Sequence, residues 1–197
     1  FTDLSGVVFL IPLRALSKSR ERNTPMKAMV LEQYDESLTG DTWVTMQDVP
    51  DATISTPDDV IVKIGGAGVC RTDLHIIEGV WKPIFDPDGD ALLPLIMGHE
   101  NSGWVEEVGS NIHGLKKGDP VILHPKIADS HDINVRRGHD MHGDGPFPGL
   151  DSTGGYAEYL TTNQRNIVAL PKNLEPKAVA AYADAGLTAY HASKKAA

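Results

Sequence analysis

The amino-acid sequence predicts a mainly β fold, a small β-barrel with short helices at its edge. Three observations carry this. Short apolar runs recur along the chain, punctuated by Gly and Pro. They do not alternate with long helical patterns, which argues against a βαβ sheet. The chain has 197 residues, 41% of them hydrophobic, enough for one substantial core.

Taken in order, residues 1–25 pass from an apolar run into Ser17-Lys18-Ser19-Arg20-Glu21-Arg22-Asn23 and are expected to be a leader or flexible extension. The apolar run lacks the basic segment in front of it that a secretory signal carries. Strands are expected at 28–32, 43–48, 59–65, 103–108, 120–123, 157–161 and 167–169. A short helix is expected over 72–78. Asp86-Pro87-Asp88-Gly89-Asp90 reads as a solvated acidic turn. Residues 126–153 carry little periodicity and read as a long lobe. Residues 177–195 read as a helix interrupted around Gly186.

Charge and composition exclude some functions. A net charge of -9 argues against a nucleic-acid partner, because phosphate binding needs clustered Lys and Arg. No apolar run is long enough for a transmembrane helix, so no membrane partner is expected. Cys70 is the one cysteine, which rules out an internal disulfide. It suits a reducing, cytoplasmic setting, where a lone cysteine is buried, catalytic or metal-bound.

The chemistry concentrates between Val69 and Gly103. Cys70 sits in Gly68-Val69-Cys70-Arg71-Thr72-Asp73-Leu74-His75. His99 sits in Gly98-His99-Glu100-Asn101-Ser102-Gly103. A thiolate, an imidazole and carboxylates are the donor types zinc prefers. Taken alone, a cysteine is more often a small buried hydrophobe and a histidine a satisfied polar group. The neighbouring Asp73, His75 and Glu100 shift the reading towards a metal site.

These motifs resemble the zinc-dependent medium-chain alcohol dehydrogenases. The likeness runs from Met26 to the C-terminal end. It includes Gly98-His99-Glu100 with Gly103, Gly109 and Ile112, and the octapeptide around Cys70. It also includes Gly118-Asp119-Pro120-Val121, Gly154-Gly155-Tyr156-Ala157-Glu158-Tyr159 and Asp184-Ala185-Gly186-Leu187-Thr188-Ala189-Tyr190. The resemblance implies a GroES-like catalytic barrel over 26–197. It implies one catalytic zinc held by Cys70, His99 and Asp184, with Asp73 behind His99 and Glu100 close to the metal. Thr72 and His75 would form a proton relay through the cofactor ribose, and Trp81 would line the substrate pocket. The implied reaction takes an alcohol to an aldehyde or ketone with hydride transfer to NAD or NADP. Homo-oligomers are implied for the complete enzyme.

Two departures qualify this. In many relatives the 126–153 lobe holds a second, structural zinc through four cysteines. Aligned on the flanking motifs, those positions are Asp129, Asp132, Val135 and Gly143. None supplies a thiolate, so no structural zinc is expected and the lobe is expected to be mobile. The second departure concerns the cofactor. No Gly-x-Gly-x-x-Gly segment follows a strand in this sequence. The chain is therefore expected to lack the Rossmann domain and to be inactive alone. The alternative is a truncated, non-catalytic zinc-binding or interaction domain.

Overall fold

A computed structural model describes residues 24–89 and 92–196. The expected leader, up to residue 23, lies outside the described residues.

Eight strands are formed among the described residues. They are β1 (Met26–Leu31), β2 (Val44–Val49), β3 (Asp59–Gly68), β4 (Leu95–Ile96), β5 (Glu100–Val108), β6 (Pro120–Leu123), β7 (Tyr159–Asn163) and β8 (Ile167–Ala169). A three-stranded sheet has the order β2-β1-β4 and a five-stranded sheet the order β7-β3-β5-β6-β8. All pairings are antiparallel. Near the sheet junction, Ala28 bridges Ala157 and the Met29 amide donates to the Tyr156 carbonyl at 2.7 Å.

Alternation decides which faces are covered. In β1, Met26, Ala28 and Val30 are buried while Lys27 is exposed. In β3, Val60, Ile61 and Val62 are all buried, because this strand lies between two others and is covered on both faces. One core cluster gathers Val60, Val62, Val105, Val121 and Leu160. A second gathers Leu31, Ile76, Leu95, Met97 and Leu150. It lies beneath the first helix, α1 (Arg71–Ile77).

The structure departs from the sequence expectations in several places. β3 continues through Gly66 to Gly68, three residues past its expected end; a register shift between Ile64 and Gly66 lets the strand bend and go on. β4 has only two residues, too few for any periodicity to show. A one-turn helix, α2 (Lys82–Phe85), follows Trp81. Asp86 is not solvated: it is fully buried and accepts a hydrogen bond from the Tyr34 hydroxyl at 2.7 Å. The expected 177–195 helix divides into two 3-10 turns, Pro176–Ala178 and Ala180–Ala183, and a helix beginning at Ala185. The break is at Asp184, whose φ of -130° and ψ of -66° are not helical, and Gly186 lies inside the helix that follows.

The lobe contains a helix α3 (Ile133–Arg136), leaving α4 (Ala185–Ala196) as the last helix. Asp132 caps α3, accepting from the amides of Asn134 and Asp144. Val135 is fully buried, and a methyl group at Gly143 would press on it at 2.7 Å. Arg165 reaches in from β7's end to Asp140 and to the Val135 carbonyl. Three of the four positions aligned with cysteines thus take part in a cap and an apolar contact. Among the described residues, no helix is long and apolar enough to cross a membrane.

Candidate metal centre

The centre is set up by strand register. β3 and β5 pair so that Gly68 faces Glu100. Cys70 lies two residues beyond one end of this pair and His99 one residue before the other. The antiparallel ladder therefore delivers both side chains to one edge of the sheet. Gly68 has no room for a side chain, since a Cβ there would collide with the Glu100 carboxylate.

Asp184 arrives from the far end of the chain. The turns at 176–183 lie against β3 and β5 because Gly66 lets the backbone come close; a Cβ at Gly66 would stand 2.7 Å from Lys177 Cα. Ser102 Oγ donates to the Pro176 carbonyl at 2.6 Å, and Ala180 and Ala183 are buried. The Ala185 amide then donates to Glu100 Oε1 at 2.7 Å, and Thr188 Oγ1 to Asp184 Oδ1 at 3.1 Å. Asp184 is left partly exposed and turned towards His99.

Donor atoms of Cys70, His99 and Asp184 all lie within 4.8 Å of one another. His99 is 1% exposed. Its Nε2 stands 3.3 Å from Asp184 Oδ2 and its Nδ1 stands 3.3 Å from Asp73 Oδ1. Neither approach is aligned as a hydrogen bond, so both ring nitrogens and Asp73 Oδ1 are buried without such a partner. A polar atom buried without a partner is costly, and a cation between Nε2, the thiolate and the carboxylate removes that cost. Sulfur, imidazole and carboxylate donors together fit zinc.

Electrostatics follow from this crowding. Burial works against the imidazolium of His99, but the flanking Asp184 and Asp73 outweigh it and push the ring up to about 11 in the metal-free chain. His99 in turn holds Asp184 below the usual carboxylate range. Burial pushes Glu100 up, partly offset by the Ala185 amide. Burial and then the Asp73 charge raise Tyr156, keeping its phenol a neutral donor.

The remaining predicted residues are placed as follows. Thr72 Oγ1 is 3.6 Å from Cys70 Sγ. His75 is three residues along on α1, partly exposed, and its Nε2 accepts from Arg71 Nε at 3.2 Å. Asp73 Oδ2 accepts from the Cys70 amide at 2.8 Å, closing the first turn of α1. Trp81 packs on the cluster that includes Met97 and Leu150, next to Phe85 with ring centroids 6.1 Å apart. Its Nε1 is buried without a hydrogen-bond partner. Tyr156, whose hydroxyl approaches both Gly68 and Asp73, stood in the sequence only as part of the Gly154–Tyr159 motif, with no role of its own. In sequence it is indistinguishable from an aromatic core residue. A cavity of about 340 Å³, lined by Val30, Val49, Leu95 and Ser152 among others, lies apart from Cys70, His99, Asp184, Thr72, His75 and Trp81, none of which lines it.

Comparisons with known proteins agree with this geometry. The chain is 35% identical to a NAD-dependent alcohol dehydrogenase of Sulfolobus acidocaldarius over 174 residues, which is 87% of this chain and 48% of that protein. It is 34% identical to D-arabinose 1-dehydrogenase (NADP(+)) of Saccharolobus solfataricus over 173 residues, covering 86% of this chain and 45% of that one. The crystal structure of the alcohol dehydrogenase of Aeropyrum pernix superposes with a TM-score of 0.78 at 43% identity, over 87% of this chain and 48% of that one. The chain thus spans about half the length of the relatives it matches. Residues 56–172 match the alcohol dehydrogenase GroES-like domain. With the β-sheet architecture and the centre at its edge, this chain belongs to the alcohol dehydrogenase family and carries its GroES-like domain.

Proposed function

We propose that this chain carries the zinc-holding catalytic half of an alcohol dehydrogenase, which interconverts an alcohol with an aldehyde or ketone against NAD or NADP. The observation that supports this most is the convergence of Cys70, His99 and Asp184 from three separate parts of the chain. Residues 26–197 make up the barrel half. The sequence has no Gly-x-Gly-x-x-Gly segment, so turnover needs a nucleotide-binding unit beyond these residues. Relatives acting on alcohols and on D-arabinose leave the substrate at the level of a small hydroxyl compound.

In this reading Cys70, His99 and Asp184 hold the metal, fewer protein donors than a closed structural site uses. When bound, zinc supplies Lewis acidity that makes an alcohol hydroxyl a better proton donor. Thr72 Oγ1, beside Cys70, would relay that proton, giving up its own hydroxyl proton towards His75 as it accepts the one from the alcohol. His75, further along α1 and steadied by Arg71, exchanges it with water. Asp73 orients the His99 ring. Glu100 anchors Ala185 and with it Asp184. Trp81 supplies apolar wall to the substrate. A cytoplasmic setting keeps the Cys70 thiol reduced.

A second reading is favoured by the last helix. α4 buries no residue, and Tyr182, Leu187 and Tyr190 stand exposed on or beside it. A metal-binding or interaction module with no turnover of its own presents such a surface. Metal analysis after dialysis tests the first reading at its root. One tightly held zinc per chain is expected, lost in Cys70→Ser. No bound zinc, or zinc retained by that variant, would overturn it.

A further inference from the structure

Tyr156 touches every element that carries His99 or Cys70. Its hydroxyl lies 3.0 Å from the Gly68 carbonyl, at the end of β3 just before Cys70. The same hydroxyl lies 3.0 Å from Asp73 Oδ2, the carboxylate beside His99. One phenol proton serves two acceptors, and the charged carboxylate is the stronger of them. The ring lies on the turn before His99: a Cβ at Gly98, where φ is +96°, would stand 2.5 Å from Tyr156 Cδ1. The Tyr156 amide donates to the Met97 carbonyl at 2.9 Å, and the Gly155 amide to the Gly98 carbonyl at 2.8 Å. Asp184's segment is secured separately, by Glu100, Ser102 and Thr188.

We infer that Tyr156 is a positioning residue of the metal centre, its hydroxyl tying the Cys70 loop to Asp73 so that Asp73 can fix the orientation of His99. Asp73 has two duties, to hold the Cys70 amide and to face His99, and they fall on different oxygens. The phenol steadies the oxygen that faces the Cys70 amide. That fixes the tilt of the whole carboxylate, and so where Oδ1 stands against His99 Nδ1. Without it the carboxylate keeps one partner on that oxygen and gains freedom to rotate. A metal ligand whose supporting carboxylate is loosened binds about 10- to 100-fold more weakly.

This inference rests on the metal reading above, and its test separates the two. The 197-residue chain is titrated with Co²⁺, and Zn²⁺ affinity is read by competition with a chelator. Wild type is compared with Tyr156→Phe, Asp73→Asn and the double variant. Tyr156→Phe is expected to weaken Zn²⁺ binding about tenfold and to shift the visible cobalt spectrum, with far-UV circular dichroism unchanged. The double variant is expected to bind no more weakly than Asp73→Asn, since the hydroxyl acts through that carboxylate. Unchanged affinity and spectrum in Tyr156→Phe, or losses that simply add, would overturn the inference while the metal reading stands. A wild-type chain that takes up neither ion overturns both. A 3-fluorotyrosine in place of Tyr156 keeps the ring's packing and strengthens the donor. It covers the case of a Phe variant that does not fold: a shifted cobalt spectrum supports the inference and an unshifted one defeats it.

Discussion

Glu100 Oε1 accepts a hydrogen bond from the backbone amide of Ala185 across 85 residues of sequence, at 2.7 Å. Glu100 is 1% exposed, and its neighbour His99 belongs to the donor cluster. The bond thus joins the residue after one donor to the residue after another. It makes the position of Asp184 depend on the start of β5.

Replacing Glu100 with Ala removes that anchor and leaves the Ala185 amide without its acceptor. Zn²⁺ affinity is expected to fall about tenfold, through loss of Asp184's placement. Glu100→Gln keeps a side-chain oxygen for Ala185 and is expected to retain most of the affinity. Chelator competition on the three proteins checks the order. Equal losses in both variants would mean that the charge, not the anchor, matters.

Gly98→Ala is expected to destabilise the chain by about 2 kcal/mol or more, because φ there is +96° and the new methyl meets the Tyr156 ring. Thermal unfolding should show a drop of roughly 5 °C in Tm. A Tm within a degree of wild type would show that the Tyr156 ring yields freely.

The lobe should loosen in acid. The Asn134 amide, and behind it that of Asp144, hold Asp132 below the usual carboxylate range. A folded-state pKa below the unfolded one means the stabilisation is present above the unfolded pKa, about 3.9, and is lost as pH falls through the folded value. Amide hydrogen exchange over 133–136 should therefore lose protection below about pH 4. In Asp132→Asn, which still caps but does not titrate, that pH dependence should be absent. Identical profiles would assign the acid response to another carboxylate.

The isolated chain should bind zinc yet reduce neither NAD nor NADP in the presence of primary, secondary or polyhydric alcohols. The donor atoms are brought together, but these 197 residues hold no Gly-x-Gly-x-x-Gly segment of the kind that cradles a dinucleotide. Absorbance at the reduced-nicotinamide band reads this directly. Alcohol-dependent reduction by these 197 residues would require a cofactor site within the barrel.

Local chemistry was legible in the sequence where each element speaks for itself. β6 and β8 stand where their apolar residues and flanking breakers put them. Cys70, His99 and Asp184 were recognisable from their motifs, and the fold brings their donor atoms together. What stayed hidden depends on a partner far along the chain. Asp86 looks solvated beside Pro87 and Asp88, until Tyr34, 52 residues earlier, supplies its hydrogen bond. Gly66 lies beyond the expected strand end at residue 65, and nothing nearby in sequence announces the backbone of Lys177 packed against it. The hydroxyl of Tyr156 reaches Asp73 across 83 residues, a contact that its Gly154–Tyr159 motif does not announce.

The Gly68–Glu100 register has a consequence for how the protein folds. Neither Cys70 with its loop nor α4 with Asp184 can complete the donor set alone. A metal held by these donors would therefore have a full site only after β3 has closed on β5 and the 176–185 segment has docked. An ion that binds only this finished state draws the folding equilibrium towards it, by about 1.4 kcal/mol for each tenfold excess of free metal over Kd. On the metal reading proposed above, uptake would in that sense be a late checkpoint: it would reward the docked arrangement of strands and C-terminal segment and give partly folded forms nothing.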